Sequence, residues 1–301
     1  MLNQSVDTGT NTNAFTITNK PLDPQNWMGR VADSKLLSQL TIPGTHDSTA
    51  SWSVIPSACC QSLSTTDQLN LGIRFLDIRC KQEFNALLLM HGPIPEGGPV
   101  NGIFQECANF LQAHPKETIL MSIKNEGSDD EAFDAALRTA MSAFPSLFYV
   151  NDELPTLGAA RKKVVFLRRV NVSAAGPWGL ALATGWQDNT TFDIQYKSSN
   201  GQPQSFHVQD VYGTADVNFK WAQIKACLDM AAGTTEGGMF LNFCSATGSA
   251  LQLTDPKTMA NGITPLLQSY FATAKPLTRY GVVVMDFPNE AIVSEMINTN
   301  T

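Results

Sequence analysis

The chain has 301 residues, 43% hydrophobic and 16% charged, so it can bury a large core and is not a disordered tail. Lys+Arg 20 against Asp+Glu 27 leaves a net charge of −7, which argues against a nucleic-acid binder that works by neutralising phosphates. The longest apolar runs, such as residues 282–285, are too short to cross a bilayer; six cysteines are too few for a disulfide scaffold though their even count permits disulfides, and without a Cys-x-x-Cys spacing a zinc site has little support.

Residues 1–13 are polar and lack both a basic start and an apolar centre, so they read as a polar tail and not as a signal peptide; residues 14–301 read as one domain. Strand candidates lie at Leu40–Ile42, Ile73–Ile78, Ala86–Met90, Thr118–Ile123, Val164–Arg168, Phe206–Val208, Met239–Phe243 and Gly281–Met285. Several are unbroken runs of Val, Ile, Leu and Phe, the pattern of strands covered on both faces. Amphipathic stretches lie between them. One starts at Phe104–Leu111 and closes at His114-Pro115; Asp129–Phe144 has the acidic first turn that a helix dipole favours. Val217–Ala231, Met259–Ala272 and Ala291–Ile297 complete the set.

Strands alternating with helices over this length predict an α/β chain folded as a single irregular TIM-type (β/α)8 barrel, with an open doubly wound sheet as the alternative. The irregularity is expected at Arg79–Asn85, which is too short for a crossover helix. No Gly-x-Gly-x-x-Gly comes after a strand, so a dinucleotide site has no support.

The residues at the ends of the apolar runs are the informative feature. The first run leads into Pro43-Gly44-Thr45-His46-Asp47-Ser48, the second ends Asp77-Ile78-Arg79 and the third Met90-His91-Gly92-Pro93. Others end in Lys124-Asn125-Glu126, Arg168-Arg169, Asp210-Val211-Tyr212 and Asp286. Barrel active sites sit at the carboxyl ends of the strands, so one mouth would gather two histidines, several carboxylates and several cations. Asp77 and Arg79 are two apart and share a strand face, as do Asp210 and Tyr212. Each residue alone has a plainer reading: a loop histidine, a helix cap at Asp47-Ser48, a rim ion pair at Asp77 and Arg79. The coincidence along the chain outweighs those readings. His114 reads as a helix stop signal, His207 is given no role, and Cys80 reads as packing or half a disulfide.

These motifs, in order from about residue 35 to 295, resemble the catalytic X domain of bacterial phosphatidylinositol-specific phospholipase C; Arg74-Phe75-Leu76-Asp77-Ile78-Arg79 and Glu117-Thr118-Ile119-Leu120-Met121-Ser122-Ile123-Lys124 carry part of the likeness. The resemblance implies intramolecular phosphoryl transfer, in which the inositol 2-hydroxyl displaces diacylglycerol to give inositol 1,2-cyclic phosphate. It implies His46 as general base oriented by Asp286, His91 as general acid with Asp77 nearby, and Arg79 on the phosphate, held by Asp47. Lys124, Arg169, Asp210 and Tyr212 would bind the inositol, with Arg169 preferred over Arg168 by register. The chemistry agrees: such a transfer needs a base and an acid on opposite sides of phosphorus, a carboxylate to fix the base's tautomer, and a planar cation for the phosphate oxygens.

No metal ligand set and no cofactor is expected, because Arg79 already places a cation by the phosphate; a calcium variant using Asp47, Asp77 and Glu126 is the alternative. The partner is a phosphatidylinositol-containing membrane, met transiently by a monomer, with contact expected from Trp52, Val54 and Ile55 after the first strand and from Trp178 in a second apolar loop. Relatives of this kind are mostly exported, so a secreted protein whose signal precedes this numbering is expected. The competing readings are a glycerophosphodiester phosphodiesterase and a non-catalytic inositide-binding barrel. Glycosylphosphatidylinositol anchors are a further candidate substrate.

Overall fold

Unbroken apolar runs form strands buried on both faces, and such strands pair in parallel. The computed structural model describes residues 23–301 apart from 52–54, 56–57, 85, 173–175, 235–236 and 250–251. In chain order the elements are β1 (Thr41–Thr45), α1 (Thr65–Leu71), β2 (Phe75–Glu83), β3 (Ala86–His91), β4 (Ile94–Pro99), α2 (Asn101–Ala113), β5 (Ile119–Asn125), α3 (Asp130–Ser142), β6 (Phe148–Tyr149), α4 (Leu157–Ala160) and β7 (Val164–Arg169). They continue with β8 (Leu180–Ala181), β9 (Thr191–Lys197), β10 (Pro203–Gln209), α5 (Val217–Gly233), β11 (Met239–Phe243), β12 (Gly248–Ser249), β13 (Gln252–Leu253), α6 (Pro256–Phe271), β14 (Gly281–Met285) and α7 (Glu290–Asn298).

Strands β10, β11, β14, β1, β2, β5 and β7 lie side by side in that order, all parallel. The sheet curls into an irregular TIM-type barrel. Short strands β6 and β8 extend the β7 edge, and β9 runs antiparallel on β10 at the other edge. Between those edges no ladder joins β8 to β9 among the described residues. Side chains bridge the gap instead: the Ala181 amide donates to Tyr196 Oη (3.3 Å), which donates to the Asp152 carbonyl (2.9 Å), and the Leu154 amide donates to Gln204 Oε1 (2.9 Å).

Ala86–Met90, expected as a barrel strand, is not one. It forms β3, antiparallel to β2 and paired with β4 as an appended hairpin. Arg79–Asn85 is too short for a crossover because β2 itself runs on to Glu83 and turns back. Helix α1 has no counterpart among the sequence expectations: its seven residues are too few for a clear period. The expected acidic start of α3 is real, with Asp129 accepting from the Glu131 and Ala132 amides.

Two local features set where the strand ends lie. A Cβ at Gly44 would stand 2.9 Å from Phe75, so glycine there lets β1 and β2 close up. At the opposite end of the barrel, Arg74 before β2 and Glu117 before β5 form a buried pair at 2.8 Å; the same guanidinium donates to the carbonyls of Leu69, Ile73, Pro24 and Gln25. Burial pushes the Arg74 value down and the Glu117 value up, each partly offset by the other. Cys60, Cys80, Cys107, Cys227 and Cys244 are buried thiols in no disulfide. Arg74→Met strands a buried carboxylate and is expected to cost about 3–5 kcal/mol in denaturant unfolding.

Candidate active site

Strand β1 delivers the first histidine. The chain leaves the strand through Asp47, which has the left-handed φ of 40° that aspartate tolerates better than most residues. The His46 amide donates to the Met285 carbonyl (3.0 Å), and Gln61 Nε2 donates to the carbonyls of His46 (2.6 Å) and Met285 (3.1 Å). The ends of β1 and β14 are thereby clamped together, and Asp286 stands beside His46.

His46 Nδ1 is 2.8 Å from Asp286 Oδ1, and His46 Nε2 is 2.8 Å from Arg79 Nη2. A guanidinium has donors only, so Nε2 accepts and the ring proton sits on Nδ1, donated to Asp286. This is the tautomer of a base whose lone pair faces the site. Burial raises the Asp286 carboxyl, and His46 works against that rise.

Strand β2 supplies the charge beneath the base. Arg79 Nε donates to Asp77 Oδ2 at 3.2 Å; its Nη1 lies 3.7 Å from Asp47 Oδ2 and 3.8 Å from Glu126 Oε1. Arg169 Nη1 meets the other oxygen of Asp77 at 3.5 Å. Burial alone would raise Asp77, but Arg79 and Arg169 outweigh it and hold the carboxyl well below the usual range. Burial likewise opposes the charge on Arg79, and Asp47, Asp77 and Glu126 overcome it.

The carboxylates divide their work differently from the sequence expectation. His91, at the end of β3, places Nδ1 2.5 Å from Asp47 Oδ2, so Asp47 is its partner, whereas Asp77 sits under the two arginines. Nε2 is the His91 nitrogen left for the cavity.

That cavity has a volume of 270 Å³ and is lined by His46, Arg79, His91, Lys124, Arg169, Trp186, Asp188, Asp210, Tyr212, Ser245, Ala246 and Thr247. All four residues expected to bind a polyol are there. Lys124 pairs with Glu126 (2.7 Å), and the Arg169 guanidinium lies over the Trp186 ring, 3.5 Å from its centre. Asp210 is raised by burial, against the pull of Arg169 and Lys220. Burial and a 2.8 Å bond to Asp188 push the Tyr212 hydroxyl up to about 12. Arg168 points the other way and donates to the carbonyls of Trp178 and Val170, as strand alternation requires. Trp186, Asp188, Ser245, Ala246 and Thr247 are the lining residues that sequence reasoning misses. Trp186 reads only as an aromatic of the apolar loop that holds Trp178, and the others carry no local signal; they reach the mouth on the connections into β9 and out of β11.

Known proteins share this architecture. The family model described as PI-PLC X 1 matches residues 33–166. A 1-phosphatidylinositol phosphodiesterase of Listeria monocytogenes is 28% identical over 94% of this chain and 88% of its own, and one of Staphylococcus aureus is 28% identical over 92% and 94%. The chain is similar to the PI-PLC X family over residues 33–166 and to these phosphodiesterases over nearly its whole length. Among solved structures, the phosphatidylinositol-specific phospholipase C of Staphylococcus aureus superposes with a TM-score of 0.81 at 26% identity, covering 93% of this chain and 98% of that one. The Listeria monocytogenes enzyme gives 0.77 at 26% identity over 93% and 100%.

Among the described residues, two groups bring potential ligand atoms within 4.8 Å of one another: His46, Cys60 and Asp286, and Asp47, Cys60 and His91. Neither fits a metal. Each histidine Nδ1 is already hydrogen-bonded to a carboxylate, burial raises the Cys60 thiol well above its ordinary value, and the Arg79 guanidinium contacts both groups.

Of the residues expected at a membrane, Trp52 and Val54 lie outside the described residues, and Ile55 is 43% exposed. Trp178 is instead packed on the flank of the barrel. It is edge-on to Phe166, its ring under Arg138 at 3.9 Å and its Nε1 donating to Asp134 at 2.7 Å.

Asp77 is held low in the folded state, so the stability it lends is present above the ordinary carboxylate range and lost as pH falls through its own lower value. Asp77→Asn should therefore melt below the parent at pH 7, with the gap closing as pH drops below about 4.

Proposed function

We propose that the protein is a phosphatidylinositol-specific phospholipase C acting by two-histidine acid–base phosphotransfer, with residues 14–301 as its single catalytic domain. One observation carries the mechanism: His46 keeps its lone pair toward the site because Arg79 donates to Nε2 and Asp286 takes Nδ1–H. A neutral base thus stands against the cation that would hold the phosphate, and the second histidine approaches through Asp47 on the far side of that cation.

The inositol 2-hydroxyl gives its proton to His46 Nε2 and its oxygen bonds to phosphorus. The bond from phosphorus to the glycerol oxygen breaks, and that oxygen takes a proton from His91. Diacylglycerol leaves and inositol 1,2-cyclic phosphate remains. Arg79 spreads its donors over the phosphate oxygens as charge builds there, while Asp286 stabilises the imidazolium that forms. The reverse proton assignments then suit water attack on the cyclic ester. Lys124, Arg169 and Asp210 offer donors and acceptors to the ring hydroxyls, and Tyr212 offers a flat apolar face. Glycosylphosphatidylinositol anchors present the same bond to this machinery.

Arg79 fills the place a divalent ion would take, which supports metal-independent catalysis. Negative net charge and exposed Ile55 support brief attachment of a monomer to the bilayer through apolar insertion near the mouth. The bacterial relatives support an exported protein.

Incubation with phosphatidylinositol vesicles should yield diacylglycerol and cyclic inositol phosphate. Release of glycerol phosphate from deacylated glycerophosphoinositol, with the vesicles left intact, would indicate a glycerophosphodiester phosphodiesterase, and vesicle binding without product an inositide-binding barrel. His46→Ala and His91→Ala should each lower kcat by about 10²–10⁴, and the parent should show a bell-shaped pH profile. A profile flat from about pH 5 to 9 with chemistry rate-limiting would refute the two-histidine reaction. EDTA should leave the rate unchanged; loss restored by calcium would refute metal independence.

A further inference from the structure

The β3–β4 hairpin brings a carboxyl to the site that the reaction above does not use. Glu96 lies in β4 with its side chain 2% exposed, beside the fully buried Asp47. Its Oε2 accepts from the Thr49 hydroxyl at 2.8 Å. Its Oε1 is buried with no hydrogen-bond partner, 3.9 Å from the His91 nitrogen that Asp47 already holds. Asp47 mirrors it: Oδ2 takes His91, and Oδ1 is buried with no partner. The two carboxyls are within hydrogen-bonding reach of each other.

Two ionised carboxylates in this contact would repel in a site of low dielectric, each with an orphaned oxygen. One proton between the orphaned oxygens satisfies both. It belongs on Glu96, because Asp47 faces the Arg79 cation and His91, while Glu96 has a hydroxyl. Burial and the Asp47 charge push the Glu96 carboxyl up to about 9.

We propose that Glu96 is held as a neutral carboxylic acid, donates Oε1–H to Asp47 Oδ1, and is thereby a positioning residue for the proton donor His91. This rests on the two-histidine reading. The donated hydrogen bond fixes the Asp47 carboxylate in plane for His91 Nδ1–H. It also draws charge from Asp47, so that the imidazolium releases its other proton more readily to the leaving oxygen. The charged or titratable groups around the pair are Arg79 and Cys80 on β2, His91 on β3, Cys60 after β1, and Glu106 on α2 across the 380 Å³ hollow that Glu96 lines.

Glu96→Gln keeps a neutral donor and Glu96→Leu removes it. On phosphatidylinositol, Glu96→Leu should lose about tenfold in kcat, with the alkaline limb of the profile moved to higher pH, because an unassisted Asp47 grips the His91 proton harder. On an inositol phosphate ester with a nitrophenol leaving group, which needs no acid, the loss should largely vanish. Glu96→Gln should stay within about twofold of the parent on both substrates, its alkaline limb unmoved.

A readout without turnover checks the protonation state. A carboxyl raised by folding stabilises fully below its unfolded value, and that stability is lost as pH rises through its folded value, so the Tm of Glu96→Gln should gain on the parent between about 4.5 and about 9. A limb moved to lower pH in Glu96→Gln, equal losses of Glu96→Leu on both substrates, or a Tm gap independent of pH would each overturn the proposal. Full activity in His91→Ala would instead overturn the two-histidine reading, and the Tm gap would stand apart from it.

Discussion

The site is organised around one guanidinium. Arg79 sits half-buried among Asp77, Asp47 and Glu126 and touches the His46 ring. Without it, three carboxylates would crowd one hollow and most would have to take up protons. With it, Asp77 stays ionised, the lone pair of His46 has a defined direction, and a permanent cation lines the cavity. A lysine would neutralise the charge but could not donate in several directions from one plane, which this arrangement requires.

The barrel is the device that keeps this guanidinium surrounded. Asp47 comes just after β1, Asp77 and Arg79 lie on β2, Glu126 comes just after β5, Arg169 ends β7 and Asp286 comes just after β14. These are successive neighbours in the sheet, so residues scattered over most of the chain meet at one rim. The buried Arg74–Glu117 pair performs the matching task at the opposite rim, tying the starts of β2 and β5 to the chain ahead of β1. Close approach at Gly44 and the Gln61 clamp then set the height at which His46 emerges.

Much of this is legible from residue order. Unbroken apolar runs mark the parallel strands, and the polar residues at their ends mark the mouth, because strand ends and active sites coincide in this architecture. The two-residue spacing puts Arg169, and not Arg168, inside. The hidden part depends on contacts between distant segments. Ala86–Met90 has the composition of a barrel strand, and only the turn after Glu83 makes it a hairpin. Asp47 and Asp77 are both plausible partners for His91 until the left-handed turn at Asp47 aims one of them. Trp186 looks like a lipid-facing residue in sequence because an aromatic in an apolar loop carries no mark of the arginine it will cover. Trp178 looks the same and is absorbed by α3. Glu96 lies in a Pro- and Gly-rich stretch with no periodicity to suggest burial.

The interrupted ring has a consequence for solubility. A sheet that does not close leaves an unpaired outer strand, the usual template for intermolecular stacking. Among the described residues that strand is β9. Its Asp193 and Lys197 are exposed, and Tyr196 spans the gap to hold the edge against its own molecule. Charge outside and an aromatic bolt inside make the margin a poor template for another copy.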